Sequence, residues 1–502
     1  MATVTLDGGP LAIADVLAVA REGATVDLGV EAHRRLLLAR SQVEAVLASG
    51  RAVYGINTGF GSLSRVRIPS EDLATLQRNL ILSTAAGVGD PLPDEVVRAM
   101  LLLLVASLCR GHSGVRPAVA ELLVGLLNRG LTPVVPASGS VGASGDLAPL
   151  AHLALVLLGE GEAIFSGERL PGGVALERAG LRPVVLAEKE GLALINGTHL
   201  MAATGALAAH DATTLLESAE LAGAMSVEAL RGSHTPFYAR IHSLRGQPGQ
   251  MASASHLEAL LEDSEIAASH RSGDPRVQDP YTLRCIPQVL GAVRDTIAHC
   301  TRVVEQELGA VTDNPLCFPD GEILSGGNFH GQPVALALDI LAIAVAELAA
   351  FSERRTYLLL DDREAGVERL PAFLARDPGL NSGYMVAQYT AAALVAENAV
   401  LAAPAGVHSL PTCAGMEDFV SMGATAANKL RVVLRNAQRV VAIELLCASA
   451  GVEFRRPLRA GLGVERGVAA VRALVPPLDK DRILQPEIEA IARAIGAGSF
   501  AL

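Results

Sequence analysis

The sequence predicts a mainly α-helical fold, in which a bundle of long helices follows a smaller mixed α/β N-terminal domain. Hydrophobic residues make up 50% of the 502 residues, which is enough for a large buried core. Aromatic residues make up only 3% and tryptophan is absent, so the side chains that strands prefer are scarce. Alanine and leucine, which favour helices, dominate long segments whose apolar residues recur at helical spacing.

The predicted elements change in character along the chain. VTLDGG near the N-terminus predicts a short strand and turn, 30–47 predicts a helix, and 163–176 predicts a hairpin. Five long helical segments then follow, separated by polar loops: 199–231, 284–310, 333–361, 382–402 and 418–450. We therefore expect a mixed domain over 1–198 and a helical domain, through which subunits associate, over 199–502.

The charge balance and the apolar segments limit the classes of partner. With 53 acidic and 41 basic residues the net charge is −12, and no basic stripe indicates nucleic acid. The N-terminus lacks a signal-peptide pattern, and Asp339 and Glu347 interrupt the apolar segment 334–351. The six cysteines are scattered without a CxxC pair, so we expect neither a metal site nor a disulfide framework. We expect a cytoplasmic protein with no membrane and no nucleic-acid partner.

One glycine-rich segment, SGSVGASGDLAPLAH at 138–152, has the glycine density of a phosphate-binding loop. It matches none of the known templates of that kind. No lysine follows its glycines, their spacing is not GxGxxG, and neither serine between the glycines is flanked as in GxSxG. Taken alone, the segment predicts a loop followed by a helix with Asp146 as its N-cap.

The same segment resembles the signature of the aromatic amino acid ammonia-lyases. Six further stretches repeat the resemblance in the family's order: YGINTGFGSL (54–63), LALINGTH (192–199), VQDPYTLRCIPQV (277–289), SGGNFHGQP (325–333), NSGYMVAQ (381–388) and GMEDFVSMG (415–423). In this family Ala-Ser-Gly condenses into 4-methylidene-imidazol-5-one (MIO), an electrophilic ring made from the backbone. The resemblance assigns Ala143, Ser144 and Gly145 to this ring, and it implies no metal and no external cofactor.

The residue types of the tripeptide suit ring closure. The amide nitrogen of Gly145 must attack the carbonyl carbon of Ala143, and a Cβ on residue 145 would obstruct that approach. Ser144 then loses its hydroxyl as water and leaves an exposed methylene. The product is an electrophile, which no ordinary side chain supplies.

The resemblance also assigns two catalytic tyrosines, Tyr54 and Tyr281. Tyr54 matches the family's base. An unperturbed phenol has a pKa of about 10. Its ionisation at pH 7 requires that the pKa be lowered by about 3 units, which corresponds to ~4 kcal/mol. One helix N-terminus supplies at most ~2 kcal/mol, so several helix ends or a guanidinium must contribute.

Four further residues match substrate-binding positions of the family. Arg284 matches the arginine that binds the substrate carboxylate, for which its planar fork is suited, and the alternative is a structural salt bridge. It follows Tyr281 by three residues, which places both on one helical face. Asn196 and Gln278 match residues that orient the substrate and the ring, and Phe329 matches the wall of the pocket.

Glu417 and the pair Ser83–Thr84 concern the choice of substrate. Glu417 matches the acid that faces the imidazole in histidine-acting members, and a carboxylate can accept an imidazole N–H. Ser83 and Thr84 stand where those members typically have Ser-His, so Thr84 removes an imidazole. Ile286 and the pair 415–416 are smaller departures from the family's pattern.

The resemblance implies a lyase that converts L-histidine to urocanate and ammonia, as a homotetramer with active sites shared among subunits. Two alternatives remain open. The first is another aromatic or modified-histidine ammonia-lyase, or a 2,3-aminomutase that returns the amine to the β-carbon. The second is a non-catalytic helical scaffold, and the intact tripeptide, Tyr54 and Arg284 argue against it.

Overall fold

The computed structural model describes residues 2–274, 276–361 and 370–501. These residues form nineteen α-helices, α1 to α19 in chain order. Their bounds are Ile13–Ala20, Val30–Ser49, Leu73–Thr84, Asp94–Cys109, Pro117–Arg129, Leu147–Leu157, Gly172–Arg178, Glu190–Ile195, His199–Ala229, Ala239–Ser243, Pro248–Leu260, Glu265–Ser269, Tyr281–Arg284, Ile286–Leu308, Gln332–Leu360, Met385–Leu401, Gly423–Glu453, Leu462–Leu474 and Gln485–Gly496.

Nine short strands, β1 to β9, accompany the helices in the described residues. Their bounds are Thr3–Leu6, Thr25–Leu28, Val88–Pro91, Thr132–Pro133, Pro136–Ser138, Glu162–Phe165, Glu168–Pro171, Leu316–Cys317 and Ile323–Leu324. None exceeds four residues. The prediction of a mainly α-helical fold is confirmed.

The strands pair in small, separate sheets. β1 and β2 are parallel, and β8 and β9 are antiparallel. β6 and β7 form the predicted hairpin, and β4 adds to β6 as an antiparallel neighbour. β3 is antiparallel to β5, so the segment after α3 is held beside the strand that leads into the glycine-rich loop.

The five predicted long helices are present as α9, α14, α15, α16 and α17, each within five residues of its predicted ends. The largest difference is at α17, which was expected from residue 418 and begins at Gly423. Met422, directly before it, has a left-handed φ of 53°, which a continuous helix does not allow. The residues before Gly423 therefore form a loop, and Glu417 lies on that loop.

Contacts along the chain define two compact units, and both draw on several segments. The first unit comprises 1–207, 301–339 and 404–428, and the second comprises 208–300, 340–403 and 429–502. In the first unit α4 runs through the core, with 13 of its 16 residues buried. The division at residues 198 and 199 stays a prediction.

One described helix, α15, is long and apolar enough to cross a membrane by length and composition. Its most apolar window is 67% buried inside the protein. Asp339, in the first third of this helix, accepts hydrogen bonds from the backbone N–H groups of Ala405 at 3.0 Å and Gly406 at 2.7 Å. A buried carboxylate that accepts two backbone hydrogen bonds and an apolar surface that is mostly covered are typical of a core helix.

Candidate active site

The glycine-rich loop that joins β5 to α6 has a backbone that few residues tolerate. Gly142 and Gly145 both have φ of 86°, and Ser144 between them has φ of 48°. A Cβ built on Gly145 would overlap the carbonyl group of Gly197, so only glycine fits there. Ser144 is held in a conformation that L residues seldom adopt, and such conformations occur at functional sites.

Backbone hydrogen bonds hold this loop from both sides. On one side, Gly197 N donates to Ser144 O at 3.0 Å and Asp146 N donates to Gly197 O at 2.8 Å. On the other, Met422 N donates to Val141 O at 2.9 Å. Ala143 is small and buried. A bent, tightly held backbone with no side chain at residue 145 fits the ring closure that the sequence predicts.

Asp146 serves a different helix from the one predicted. It is the residue before α6, as expected, but its side chain caps nothing there. Its Oδ2 instead accepts hydrogen bonds from Leu200 N at 2.9 Å and Met201 N at 3.1 Å, in the first turn of α9. Burial raises the pKa of this carboxyl to about 7, although the two N–H groups favour its charged form.

Tyr54 lies half-buried in a cluster formed by Tyr54, Gly61, Cys413 and Glu417, which we call the Tyr54 cluster. The phenol oxygen accepts a hydrogen bond from Gly61 N at 3.4 Å. Burial raises the pKa of Tyr54, and the nearby Cys413 and Glu417 raise it further. A phenol that acts as a base at neutral pH needs groups that lower this pKa, and among the described residues the Gly61 N–H alone does so.

Glu417 belongs to a turn that the sequence did not predict. Cys413, Ala414 and Gly415 have successive left-handed φ values of 49°, 52° and 85°. Thr412 and Glu417 close the turn as an isolated antiparallel bridge. The hydroxyl of Thr412 also donates to Glu417 Oε2 at 2.7 Å. The motif that singled out Glu417 begins at Gly415, and no sequence signal marked Thr412 or Cys413.

Asn196 lies next to Gly197 and is 3% exposed. Its amide nitrogen donates to Asp313 Oδ1 at 3.2 Å and to Asn314 O at 2.9 Å. Asp313 Oδ2 accepts a hydrogen bond from Lys189 Nζ at 2.6 Å in a buried ion pair. Asp313 of this ion pair fixes the side chain of Asn196 through the hydrogen bond from its amide nitrogen. The pair was not predicted from the sequence.

Phe329 lies half-buried on the loop before α15. Next to it, His330 donates from Nε2 to Phe419 O at 3.0 Å, and the two rings stack with centroids 6.2 Å apart. Phe419 follows Glu417 by two residues, so this contact ties the Phe329 loop to the loop that carries Glu417.

Ser83 and Thr84 are the last two residues of α3. The hydroxyl of Ser83 donates to Leu80 O within its own helix at 3.2 Å. Thr84 is half-buried, and its carbonyl oxygen accepts Ala86 N at 2.8 Å. β3 follows directly and pairs with β5, so α3 ends near the start of the glycine-rich loop.

The first unit therefore brings the tripeptide, Asn196, Tyr54, Phe329 and Glu417 onto connected loops. The second unit holds the other three predicted residues, Gln278, Tyr281 and Arg284, near a cavity of about 840 Å³ that Gln278 and Arg284 line. Gln278 and Tyr281 are exposed, Tyr281 by 69%.

Arg284 is held by its neighbours without an acidic partner. Its Nε donates to Asp279 O at 2.9 Å, and its guanidinium carbon lies 4.5 Å from the centroid of the Tyr281 ring. Within 2–274, 276–361 and 370–501, Arg284 forms no ion pair with an Asp or Glu side chain. These residues therefore do not hold Arg284 in the structural salt bridge that was the alternative to carboxylate binding. The outer guanidinium nitrogens can bind a planar anion.

The described part of the chain contains no group of three or more His, Cys, Asp or Glu residues arranged to hold a metal ion. His199 is buried, burial lowers its pKa to about 4, and neither ring nitrogen has a partner among the described residues.

The profile of the family described as "Aromatic amino acid lyase" matches residues 11–473. The chain belongs to the aromatic amino acid lyase family. The histidine ammonia-lyase of Anaeromyxobacter dehalogenans is 55% identical to it over 511 aligned positions, which cover 100% of each chain.

Solved structures of family members are similar along the whole chain. The histidine ammonia-lyase of Trypanosoma cruzi is 42% identical, with a TM-score of 0.92 over 99% of this chain and 94% of that one. The tyrosine aminomutase of Streptomyces globisporus is 37% identical, with a TM-score of 0.93 over 99% and 97% of the two chains. Lyases and aminomutases of this family thus share one fold, and residues of the site must separate them.

Proposed function

We propose that the chain eliminates ammonia from L-histidine to give urocanate, using an MIO electrophile formed from Ala143, Ser144 and Gly145. The observation that carries this proposal is the carboxylate of Glu417 in the Tyr54 cluster. It has no basic partner within the described residues, and it lies beside the residue proposed as base. An uncompensated carboxylate suits an imidazole, which offers an N–H and a positive charge, whereas a phenyl ring offers neither.

The tripeptide supports the proposed cofactor through its backbone. Left-handed φ at Ser144 and Gly145, with no space for a Cβ at residue 145, favours attack of the Gly145 nitrogen on the Ala143 carbonyl. When formed, MIO supplies an acceptor for electron pairs, which eases the loss of the amine. Gly197 and Met422 hold the two flanks of the loop so that the acceptor has one fixed position.

Tyr54 is proposed to remove the β-proton, and its Oη is oriented by Gly61 N. Burial and the charge of Glu417 raise its pKa, so its ionisation requires positive charge from elsewhere. The ammonium and ring of the bound substrate carry such charge, as does a guanidinium. We propose that the base becomes active only in the complete, substrate-bound site.

Arg284 is proposed to bind the substrate carboxylate, with Gln278, Tyr281 and Asn196 orienting the substrate and Phe329 forming the pocket wall. The face of the Tyr281 ring lies 4.5 Å from the Arg284 guanidinium and restricts it to one plane. A guanidinium held in this way loses less freedom when it binds a carboxylate. Ser83 and Thr84 are proposed to face the far end of the substrate.

We further propose a cytoplasmic homotetramer with shared active sites. On α15 the side chains of Leu336, Ile340 and Ile343, which share one face, are 42%, 39% and 46% exposed. Val386 and Tyr389 on α16 are 61% and 58% exposed. Large apolar side chains grouped on helix faces are typical of surfaces that a second copy covers. Size-exclusion chromatography with light scattering tests this, and a monomer would contradict it.

A 2,3-aminomutase, or a lyase for another aromatic or modified-histidine substrate, is the second candidate because of Thr84. A threonine hydroxyl is smaller than an imidazole and has no ring face, so Thr84 changes what a substrate ring would contact at this position. The tyrosine aminomutase of Streptomyces globisporus shares the fold with a TM-score of 0.93.

One experiment separates these candidates. The purified chain is incubated with L-histidine, L-tyrosine and L-phenylalanine, and ammonia and organic products are measured. We expect urocanate and ammonia from L-histidine in equal amounts. A β-amino acid without ammonia would favour the aminomutase. An unmodified tripeptide in a peptide mass spectrum, with no turnover, would favour the non-catalytic scaffold.

A further inference from the structure

Thr412 is the first residue of the turn 412–417 and bonds to its last residue, Glu417. The interior of the turn is strained, since Cys413 and Ala414 have left-handed φ of 49° and 52°. Thr412 N donates to Glu417 O at 2.9 Å, and Thr412 O accepts Gly415 N at 3.0 Å. Both backbone groups of Thr412 therefore stabilise the turn.

The side chain of Thr412 makes a separate contact, with the carboxylate of Glu417. Its hydroxyl donates to Oε2 at 2.7 Å, a length typical of bonds to a charged acceptor. Threonine is branched at Cβ, so its χ1 is restricted and the hydroxyl has a defined direction. Glutamate has more rotatable bonds, and one such hydrogen bond reduces the positions its carboxylate can occupy.

The other oxygen of this carboxylate, Oε1, accepts no hydrogen bond from the described residues. No lysine, arginine or histidine of the described ranges forms an ion pair with Glu417. One oxygen is thus held by a neutral hydroxyl, and the second keeps its capacity to accept an N–H. Both lie in the Tyr54 cluster, beside the proposed base.

We infer that Thr412 is a positioning residue that holds Glu417 Oε2 so that Oε1 is presented to an N–H on the substrate's ring. This inference rests on the proposed function, which supplies a substrate whose ring carries an N–H donor. Thr412 touches no reacting atom. It acts through Glu417, by fixing where the ring of the substrate lies relative to the phenol of Tyr54.

The test compares Thr412→Val, which removes the hydroxyl at nearly constant shape, with Thr412→Ser, which keeps it. With L-histidine we expect Thr412→Val to raise KM by about tenfold, the loss of one hydrogen bond to a charged group, with a smaller change in kcat. Thr412→Ser should have a KM within about twofold of that of the unchanged protein. A twofold change is smaller than the loss of such a hydrogen bond would cause, so it would show that the serine hydroxyl still makes the bond. The matched control is Thr296→Val, because the hydroxyl of Thr296 donates only to Ala292 O of its own helix, at 2.8 Å.

Two results would overturn the inference. One is a Thr412→Val protein with the KM of the unchanged protein. The other is a Thr412→Ser protein as impaired as Thr412→Val, which would assign the effect to packing of the methyl group. Unchanged near-ultraviolet absorbance of the ring in each variant shows that the site has matured.

A crystal structure of Thr412→Val gives a readout independent of turnover. The inference expects the Glu417 carboxylate to leave its position, and an unmoved carboxylate would contradict it. If the unchanged protein makes no urocanate from L-histidine, the proposed function fails. The crystal structure still decides whether Thr412 positions Glu417.

Discussion

Gly145 and Gly197 form a parallel bridge and lie so close together that residue 145 has no space for a side chain. The carbonyl of Gly197 occupies the place where the Cβ would be, and the same oxygen accepts the N–H of Asp146 at 2.8 Å. One glycine thus fixes both the bend of the tripeptide and the start of α6. Glycine is needed at residue 145 because it allows this close contact with Gly197, and not because it makes the loop flexible.

Gly145→Ala is therefore expected to abolish maturation of the tripeptide. The added methyl group meets backbone that cannot move aside cheaply, so the loop must open. Intact-mass analysis should show no loss of two waters, and the near-ultraviolet absorbance of the ring should be absent.

Gly167→Ala is the control for this prediction. Gly167 has φ of 80°, close to that of Gly145, but nothing lies within 4 Å of its Cβ position. An alanine in this left-handed conformation costs about 1–2 kcal/mol, but its methyl group meets no neighbouring atom. We expect Gly167→Ala to mature normally. Equal maturation of both variants would mean that the close approach to Gly197 does not matter.

Tyr54→Phe is expected to lower kcat by about 10²–10⁴-fold, the contribution of a positioned general base. The ring of Phe fills the same space, so the absorbance of the matured tripeptide should remain. The measurement is the initial rate of urocanate formation. Tyr384→Phe is the control, because the buried hydroxyl of Tyr384 has no hydrogen-bond partner among the described residues. Normal turnover by Tyr54→Phe would remove Tyr54 from the mechanism.

Arg284→Lys is expected to raise KM about tenfold or more, because an ammonium cannot make the two parallel hydrogen bonds of a guanidinium with a carboxylate. It also loses the stacked position over Tyr281. Steady-state kinetics with L-histidine measures the effect. Arg129→Lys, at an exposed helix end, is the control. If the two variants behave alike, Arg284 does not bind the carboxylate.

The helices of the fold could be predicted because their signal is local. Apolar periodicity marked α9, α14, α15, α16 and α17, and the structure differs only at their ends. The division of the chain into two units has no such local signal, because each unit combines segments that are far apart in the sequence. The boundary at 207 and 208 falls inside α9, where no change in composition marks it.

The residues of the candidate site could be predicted only where they lie in a motif whose residue types the proposed chemistry explains. Gly145 was predicted from the resemblance to the family's signature, and ring closure explains why that residue is glycine. Thr412 and Lys189 act by holding Glu417 and Asp313, and Asp313 in turn holds Asn196. Such contacts join residues that are far apart in the chain or that sit in an unpredicted turn, so neither residue has a local pattern. Asp146 shows the same limit, since its side chain caps α9 and not the helix it precedes.

Asp146 also makes the stability of the fold depend on pH. Burial, reinforced by Glu307, raises its pKa from 3.8 to about 7. The native state therefore holds the proton more tightly than the unfolded chain, in which the carboxyl ionises near its usual pKa. As pH rises from about 4 to about 7, the unfolded chain gains the charge first, and the free energy of unfolding falls by up to about 4 kcal/mol. Below about pH 4 this contribution is fully present.

Asp146→Asn removes this contribution while its amide oxygen can still accept the N–H groups of Leu200 and Met201. Both proteins are compared in a Ser144→Ala background, so that ring formation does not differ between them. Urea unfolding at pH 4.5, 5.5, 6.5 and 7.5 gives the two stabilities. We expect the protein that keeps Asp146 to lose stability steadily across this range relative to the Asp146→Asn variant, because only a carboxyl carries the penalty of ionising while buried. Parallel curves would show that the carboxyl of Asp146 ionises in the native protein as easily as in the unfolded chain.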